Sequence, residues 1–457
     1  MSRPDFLSQL PSLEELLEHP RVASTIDRLN RSTAAVQLRG AIQSLGAEVS
    51  RRAEGLQSLG AGELLDRLIR QLEFPRPTTP SRCVNATGQF FLAPTLRPPL
   101  AATAIDAARA ASEGFCQASE AATKTAATLL GADAAWVGCS HPRALATVLE
   151  ALAGGGTCVV ARGDMTEVAP GLRLDEIARR AGVTLREVGA ANTATADDFA
   201  GALAPLQSAQ LQSADAPRLA VLVRDRVGSS DAALLSSLAQ TAHHAGAKLL
   251  FDCGRARLRN DTPAYGDTAL SVEASLSAGA DLVIFDAAGL VGGPVAGVVA
   301  GRRAAIEAVA SSGAAKLDTI DPAVEAALAA TLQLFQRPGD LRFNHPLHQL
   351  LDAPIENLRT RAERLALRIA AGQGVGAASA VERPSAARGG ASWAIRVEPA
   401  AGTPAEVRER LASLEPALLV EVEADAVLLD LATVFPRQDA VLVDSWGGEP
   451  AAEMDPP

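Results

Sequence analysis

The chain is poor in aromatic residues and in lysine. Only 3% of its 457 residues are aromatic, and its three lysines are Lys124, Lys248 and Lys316. Asp and Glu number 53 against 42 Lys and Arg, which gives a net charge of −11. Contacts to nucleic-acid phosphates require clustered cations, so this balance argues against a protein that binds nucleic acid over its whole surface. Residues 1–76 differ from the rest because their arginines and acidic residues are equal in number.

Cysteine is also scarce, and long apolar runs are absent. The cysteines are odd in number and show no Cys-x-x-Cys spacing, which argues against a disulfide framework and a zinc site; they are Cys83, Cys116, Cys139, Cys158 and Cys253. The histidines at 243–244 and 345–348 come without further ligands at a suitable spacing, so we expect no metal site. There is no run of about 18 apolar residues and no N-terminus of signal type, which predicts a cytoplasmic protein without a membrane-spanning segment.

The spacing of apolar residues divides the chain into five segments. Residues 1–74 repeat apolar side chains at helical intervals and predict an N-terminal helical module, and the proline-rich residues 75–82 predict a linker. In residues 83–338, helical stretches alternate with β-rich runs. This alternation predicts an α/β domain with a mostly parallel sheet and helices on both faces. Residues 339–446 predict a small α+β domain, and residues 447–457 predict a disordered tail.

Two polar segments directly follow predicted strands of the α/β domain. Asp252 comes after the β-rich run 248–251, and the turn at 286–289 comes after the run 281–285. Ligands of open parallel sheets bind outside the carboxyl ends of the strands. Both segments are therefore predicted to face a ligand-binding crevice.

Several motifs occur in an order that is typical of one protein family. They are Leu10–Pro20, Asn85–Gly88, Arg162–Asp164 with Glu167, Phe251–Gly254, Ala280–Pro294 and Leu428–Leu431. On these motifs the chain resembles the bacterial L-seryl-tRNA(Sec) selenium transferases over roughly residues 10–440. The resemblance implies a pyridoxal-phosphate transferase fold of type I, preceded by the helical module and followed by the small α+β domain.

Position 289 departs from the pattern of that family. The resemblance implies that this position holds the lysine that forms a Schiff base with pyridoxal phosphate, and here it is Gly289. A Schiff base requires an amine, so the sequence predicts no catalytic residue at this position and no covalent cofactor. Lys248 is an unsuitable substitute because it begins the strand that ends at Asp252, roughly 13 Å away. Neither Lys124 nor Lys316 is tied to the crevice by the sequence.

The resemblance also implies roles for residues that are retained. Asp252 corresponds to the carboxylate that pairs with the pyridine nitrogen of the cofactor, although an aspartate here also suits a turn cap. Ser140 and His141 lie in the turn that binds the cofactor phosphate, where a histidine also suits a purely structural role. Arg97 corresponds to an arginine near the anionic substrate.

A further set of residues resembles segments at or near the subunit interface of the family: Arg162, Gly163, Asp164, Glu167, Gly292 and Gly293. Their retention predicts a homodimer or a higher homo-oligomer. The near-neutral N-terminal module predicts weak, salt-dependent tRNA binding through residues 1–76.

The sequence leaves two functional hypotheses open. In the first, the chain is a catalytically degenerate paralogue of the selenium transferase, which retains the scaffold and has lost the Schiff-base chemistry. In the alternative, it is an active transferase that converts seryl-tRNA(Sec) to selenocysteinyl-tRNA(Sec), or a related lyase, by a lysine-independent mechanism. A yellow internal aldimine that borohydride traps would refute the first hypothesis.

Overall fold

The computed structural model describes Leu17 and residues 82–91, 97–117, 119–212, 219–224, 231–255, 257–262 and 270–447. The predicted helical module, most of the predicted linker and nearly all of the predicted tail lie outside the described residues. The chain divides into two compact units, Met1–Arg82 and Cys83–Pro457.

Two main sheets and a short hairpin account for the described strands. The strands are β1 (Cys83–Ala86), β2 (Ala134–Gly138), β3 (Thr157–Ala161), β4 (Glu167–Ala169), β5 (Leu172–Arg173), β6 (Thr184–Val188), β7 (Leu219–Arg224), β8 (Lys248–Gly254), β9 (Leu282–Asp286), β10 (Gly297–Gly301), β11 (Val375–Ser385), β12 (Gly390–Pro399), β13 (Ala417–Val422) and β14 (Val427–Asp430).

The described helices connect and cover these sheets. They are α1 (Ala102–Ser112), α2 (Ala121–Leu130), α3 (His141–Ala153), α4 (Leu174–Arg180), α5 (Ala196–Gln212), α6 (Ala232–His244), α7 (Val272–Ser277), α8 (Arg303–Ser311), α9 (Gly313–Lys316), α10 (Pro322–Leu334), α11 (Leu341–Asn344), α12 (Pro346–Leu351), α13 (Ile355–Ala370), α14 (Pro404–Ala412) and α15 (Asp439–Asp444). In the described ranges, none of them is both long enough and apolar enough to span a bilayer.

The larger sheet has seven strands in the order β2-β10-β9-β8-β7-β3-β6. Strand β10 runs antiparallel to β2 and β9, and the other neighbouring pairs are parallel. The prediction of a mostly parallel sheet is therefore confirmed. The predicted strands at 248–251 and 281–285 correspond to β8 and β9.

Strand β8 shows why this sheet carries helices on both faces. Its consecutive residues Leu249, Leu250 and Phe251 are all fully buried, although alternate side chains of a strand point to opposite faces. Leu249 and Phe251 belong to one hydrophobic cluster, and Leu250 belongs to another. Each cluster includes side chains from helices that cover one face, so the uninterrupted apolar run reflects a strand that is buried on both sides.

The second sheet has five strands in the order β1-β13-β14-β12-β11. Helix α13 packs on it through Leu358, Ala362, Leu365 and Ile369, whose spacing places them on one face of the helix. Strand β1 pairs in parallel with β13. The sequence analysis begins the α/β domain at residue 83 and so assigns β1 to the large sheet. In the structure, the hydrogen bonds of β1 join it to the C-terminal sheet instead.

Candidate functional site

Three charged side chains lie at the carboxyl ends of parallel strands in the large sheet. Arg224 ends β7, Asp286 ends β9, and Asp252 lies near the end of β8, directly beside Arg224 in the parallel register. Parallel strands deliver their last residues to the same edge, so the fold places these groups in one crevice. The position of Asp252 agrees with the crevice predicted from the sequence.

Arg224 is buried in this crevice and is held by several acceptors. Its Nε donates to Asp252 Oδ2 at 2.9 Å, and its Nη1 donates to Thr166 Oγ1 at 2.8 Å and to the Asp164 carbonyl at 3.1 Å. The backbone N–H of Arg224 donates to Asp164 Oδ2 at 3.0 Å. Only 5% of the arginine is exposed, so its charge is balanced by the surrounding carboxylates and not by solvent.

His141 binds the other oxygen of the same aspartate. Its Nε2 lies 2.7 Å from Asp252 Oδ1, and because a carboxylate accepts, Nε2 carries the hydrogen. Burial by itself lowers the pKa of His141, but the neighbouring Asp252 outweighs burial, and the net pKa is raised. Burial by itself raises the pKa of Asp252, but His141 and Arg224 outweigh it and hold that pKa well below its usual value. The three groups therefore form a buried cluster of paired charges.

The turn between β2 and α3 is occupied by a carboxylate from elsewhere in the chain. Asp318, which is 1% exposed, accepts a hydrogen bond from the Cys139 N–H at 2.7 Å and another from Thr147 Oγ1 at 3.0 Å. Ser140 caps α3 and accepts from the N–H of Arg143 at 3.4 Å. The start of a helix attracts anions, and here the anion at this turn is the protein's own side chain.

Gly289 lies buried against the residue that follows β8. A Cβ added to Gly289 would lie 2.8 Å from Arg255 Cα and 2.9 Å from Arg255 Cβ. The Leu290 N–H also donates to the Arg255 carbonyl at 3.3 Å, which fixes the two segments together. Since the nearest atom is backbone, it does not move aside as a flexible side chain would.

A family model for L-seryl-tRNA selenium transferase matches residues 116–435. The chain belongs to this family. The L-seryl-tRNA(Sec) selenium transferase of Carboxydothermus hydrogenoformans is 26% identical to it over 96% of each chain, and that of Solidesulfovibrio magneticus is 31% identical over 67% of this chain and 66% of its own length.

The fold of this selenium transferase-like chain is that of the pyridoxal-phosphate enzymes of fold type I. Among solved structures, a D-glucosaminate-6-phosphate ammonia-lyase matches it with a TM-score of 0.57 and 18% identity, over 80% of this chain and 95% of the lyase. Pyridoxal phosphate is the cofactor of the selenium transferase family.

The residues of the crevice do not fit pyridoxal phosphate bound in the family manner. Gly289 supplies no amine, and the space beside it holds the Arg255 backbone. Both oxygens of Asp252, the carboxylate expected to face a pyridine nitrogen, are bound by His141 and Arg224. Asp318 occupies a donor of the expected phosphate turn and would repel a phosphate. We therefore derive no catalytic step through the cofactor.

The lysines of the chain offer no replacement amine in the described crevice. Lys248 begins β8 and is exposed, at the opposite end of the strand from Asp252. Lys124 is exposed on α2 and pairs with Glu120 at 3.2 Å. Lys316 is an exposed residue at the end of α9.

The residues predicted for the subunit interface fall into two groups. Arg162 is exposed and pairs with Glu187 at 3.3 Å, and the side chain of Glu167 is also exposed. Asp164, by contrast, is 2% exposed and holds the backbone of Arg224, so its carboxylate serves the interior of this chain. Gly292 and Gly293 are also buried.

Gly292 packs against His345, one of the histidines at which the sequence predicts no metal site. A Cβ at Gly292 would lie 2.3 Å from His345 Cε1, and His345 Nε2 hydrogen-bonds to the Val291 carbonyl at 2.9 Å. Burial lowers the pKa of His345 to about 4 and that of His348 to about 3. Both imidazoles are thus neutral packing groups, and no cluster suited to a metal ion occurs among the described residues.

Sequence reasoning missed three residues that shape this crevice: Arg224, Asp318 and Arg255. Arg224 was detectable, since it follows an apolar strand directly, as Asp252 does. Asp318 was not, because its hydrogen bond to Cys139 joins residues 179 positions apart. Arg97, the predicted anion ligand, is exposed in the structure.

Proposed function

We propose that this member of the selenium transferase family is a catalytically degenerate paralogue that has lost Schiff-base chemistry. The observation that carries the proposal is the buried Gly289, whose Cβ position is closed by the Arg255 backbone at 2.8 Å. The internal partners of Asp252 and the carboxylate of Asp318 support it further, because they fill positions that the cofactor would need. Under this proposal, the retained fold serves binding and assembly.

A selenium-transfer assay tests the proposal. The purified chain is incubated with seryl-tRNA(Sec), a selenium donor and pyridoxal phosphate, with the Carboxydothermus hydrogenoformans relative as the positive control. We expect selenocysteinyl-tRNA(Sec) from the control and none from this chain. Its formation by this chain would support the lysine-independent transferase instead.

We also propose that the chain forms a homodimer or a higher homo-oligomer in the cytoplasm. The exposed Arg162 and Glu167 support this, since they match segments that the family places near its subunit interface. Light scattering at micromolar concentration should give at least a dimer, and Arg162→Ala should weaken it. A monomeric wild-type protein would refute the proposal.

tRNA is the remaining proposed partner. The relatives' names refer to L-seryl-tRNA(Sec), and residues 1–76 are the near-neutral part of an acidic chain. Binding through this module should be weak and should fall steeply with salt, because phosphate contacts release counterions. Filter binding at two salt concentrations measures it. Tight binding that persists after residues 1–76 are deleted would contradict this assignment.

A further inference from the structure

A cleft in the C-terminal part of the chain is lined by none of the residues described at the Asp252 crevice. It encloses about 670 Å³ between the region around α12, the first half of α13 and the segment 431–437. This volume falls within the range of about 300–1,000 Å³ that is typical of sites for small organic ligands. No step of the proposed function uses it.

The charged residues that line this cleft are arginines. They are Arg361, Arg364 and Arg437, and none of the described residues lining the cleft is acidic. Asp439 lies behind two of them, at 2.6 Å from Arg361 Nη2 and 2.7 Å from Arg364 Nη2. One carboxylate thus faces two guanidinium groups, and the third arginine lies over the Phe435 ring at 4.2 Å. The cleft therefore carries an excess of positive charge in an acidic chain.

Contacts within the protein hold Arg361 and Arg364 in place but do not occupy all of their N–H donors. Arg361 directs Nη2 to Asp439 and to the Val434 carbonyl at 3.1 Å, while its buried Nε finds no acceptor among the described residues. Arg364 is 61% exposed, and the structure gives it Asp439 as its partner within residues 270–447. Guanidinium groups bind phosphate oxygens through paired N–H donors, so a phosphate would use the donors that Asp439 leaves.

The rest of the lining suits a flat, largely apolar group. Leu350 and Phe435, which are 7% and 6% exposed, supply a small apolar surface, and Asn357 supplies an amide that can both donate and accept. Sites for small ligands combine such apolar walls with a few fixed polar groups.

We propose that this arginine-lined cleft binds a phosphate monoester of mononucleotide size, with its phosphate on Arg361 and Arg364 and its apolar body against Leu350 and Phe435. The assignment is independent of the proposed loss of Schiff-base chemistry, because the two regions share no residue. Absence of ligand binding would refute this assignment alone. Selenium transfer by the chain would refute the proposed loss of Schiff-base chemistry alone.

Titration calorimetry with AMP, adenosine and inorganic phosphate tests the assignment on the full chain. We expect AMP to bind at least about tenfold more tightly than either adenosine or inorganic phosphate, since only AMP has both parts. Arg364→Gln and Arg437→Gln should each weaken AMP binding by about tenfold. Arg361 is left unchanged because it also binds Asp439 and the Val434 carbonyl, so its replacement would disturb the fold as well as the cleft.

Arg359→Gln is the matched control for charge. Arg359 lies on the same helix but pairs with Glu363 at 3.0 Å and stacks on Trp393, outside the cleft. AMP affinity should be unchanged in this variant. Absence of AMP binding at millimolar concentration, equal binding of AMP and adenosine, or equal loss in the Arg359 and Arg364 variants would overturn the proposal.

Discussion

The crevice at Asp252 and the arginine-lined cleft use the same kinds of charge in opposite ways. In the crevice, Arg224 is 5% exposed and its partners Asp252 and Asp164 are both 2% exposed. In the cleft, Arg364 is 61% exposed and shares one carboxylate with Arg361. Charges that are buried and matched are costly to break, whereas an exposed excess of one sign is available to a ligand. This difference is what the proposed loss of Schiff-base chemistry predicts for the family's crevice.

The largest expected effect comes from removing the buried arginine of the crevice. Arg224→Ala removes the buried guanidinium that pairs with Asp252 and leaves this carboxylate with His141 as its side-chain partner, so it should lower the free energy of unfolding by about 3 kcal/mol or more. Urea denaturation measures this. Arg186→Ala, on an exposed edge-strand residue, is the control and should change stability by less than about 1 kcal/mol. Equal losses of stability in the two variants would show that the buried Arg224 contributes no more to the fold than an exposed arginine.

A smaller effect is expected at the position of the missing lysine. Gly289→Ala places a Cβ against the Arg255 backbone and should destabilise the fold by about 1–3 kcal/mol. The matched control is Gly201→Ala in α5, where an added Cβ meets nothing within 4 Å. Alanine at that helical position should be neutral or stabilising by up to about 1 kcal/mol. A neutral Gly289→Ala would show that the space beside Gly289 is open.

The contribution of His141 should depend on pH. Its pKa is raised in the folded protein, so the stabilisation is complete below its ordinary pKa of 6.5 and is lost as the pH rises through the folded value. The charged groups that act on His141 are Asp252, Asp286 and Arg224. The difference in unfolding free energy between wild type and His141→Gln should therefore shrink, on the order of 1 kcal/mol, between pH 6 and pH 9. A difference that grows with pH would contradict the assigned pair.

The smallest effect on stability is expected in the cleft. Arg364→Gln removes an exposed partner of Asp439, which keeps Arg361, so the free energy of unfolding should change by less than about 1 kcal/mol. Thermal melting of the same variant that is used for AMP titration checks this. A loss comparable to that of Arg224→Ala would make the cleft a structural ion cluster as well.

Much of the scaffold follows from local sequence patterns. The uninterrupted apolar run of β8 and the helical spacing of α13 are local properties, so the parallel sheet and the long C-terminal helix were predictable. Strand β11 was not predicted, because it is rich in small and polar residues and lies at the sheet edge, half exposed. The pairing of β1 with β13 could not be inferred from local sequence either, because it joins residues more than 300 positions apart.

The location of the candidate site was predictable from the sequence, but the hydrogen-bond partners of its residues were not. Asp252 was expected in the crevice because it follows a strand, and Gly289 was expected to lack the amine. That both Asp252 oxygens are bound by His141 and Arg224 depends on contacts between three separate strand and helix ends. Such contacts arise only when the chain is folded, so no local pattern specifies them.

Cofactor capture tests the central claim most directly. The purified chain is mixed with pyridoxal phosphate, scanned for the visible absorbance of an aldimine, reduced with borohydride and analysed by mass spectrometry. We expect no aldimine band and no pyridoxyl group at Lys124, Lys248 or Lys316, since the described crevice presents no amine and its polar groups are bound internally. A stoichiometric pyridoxyl adduct on one of these lysines would contradict the account.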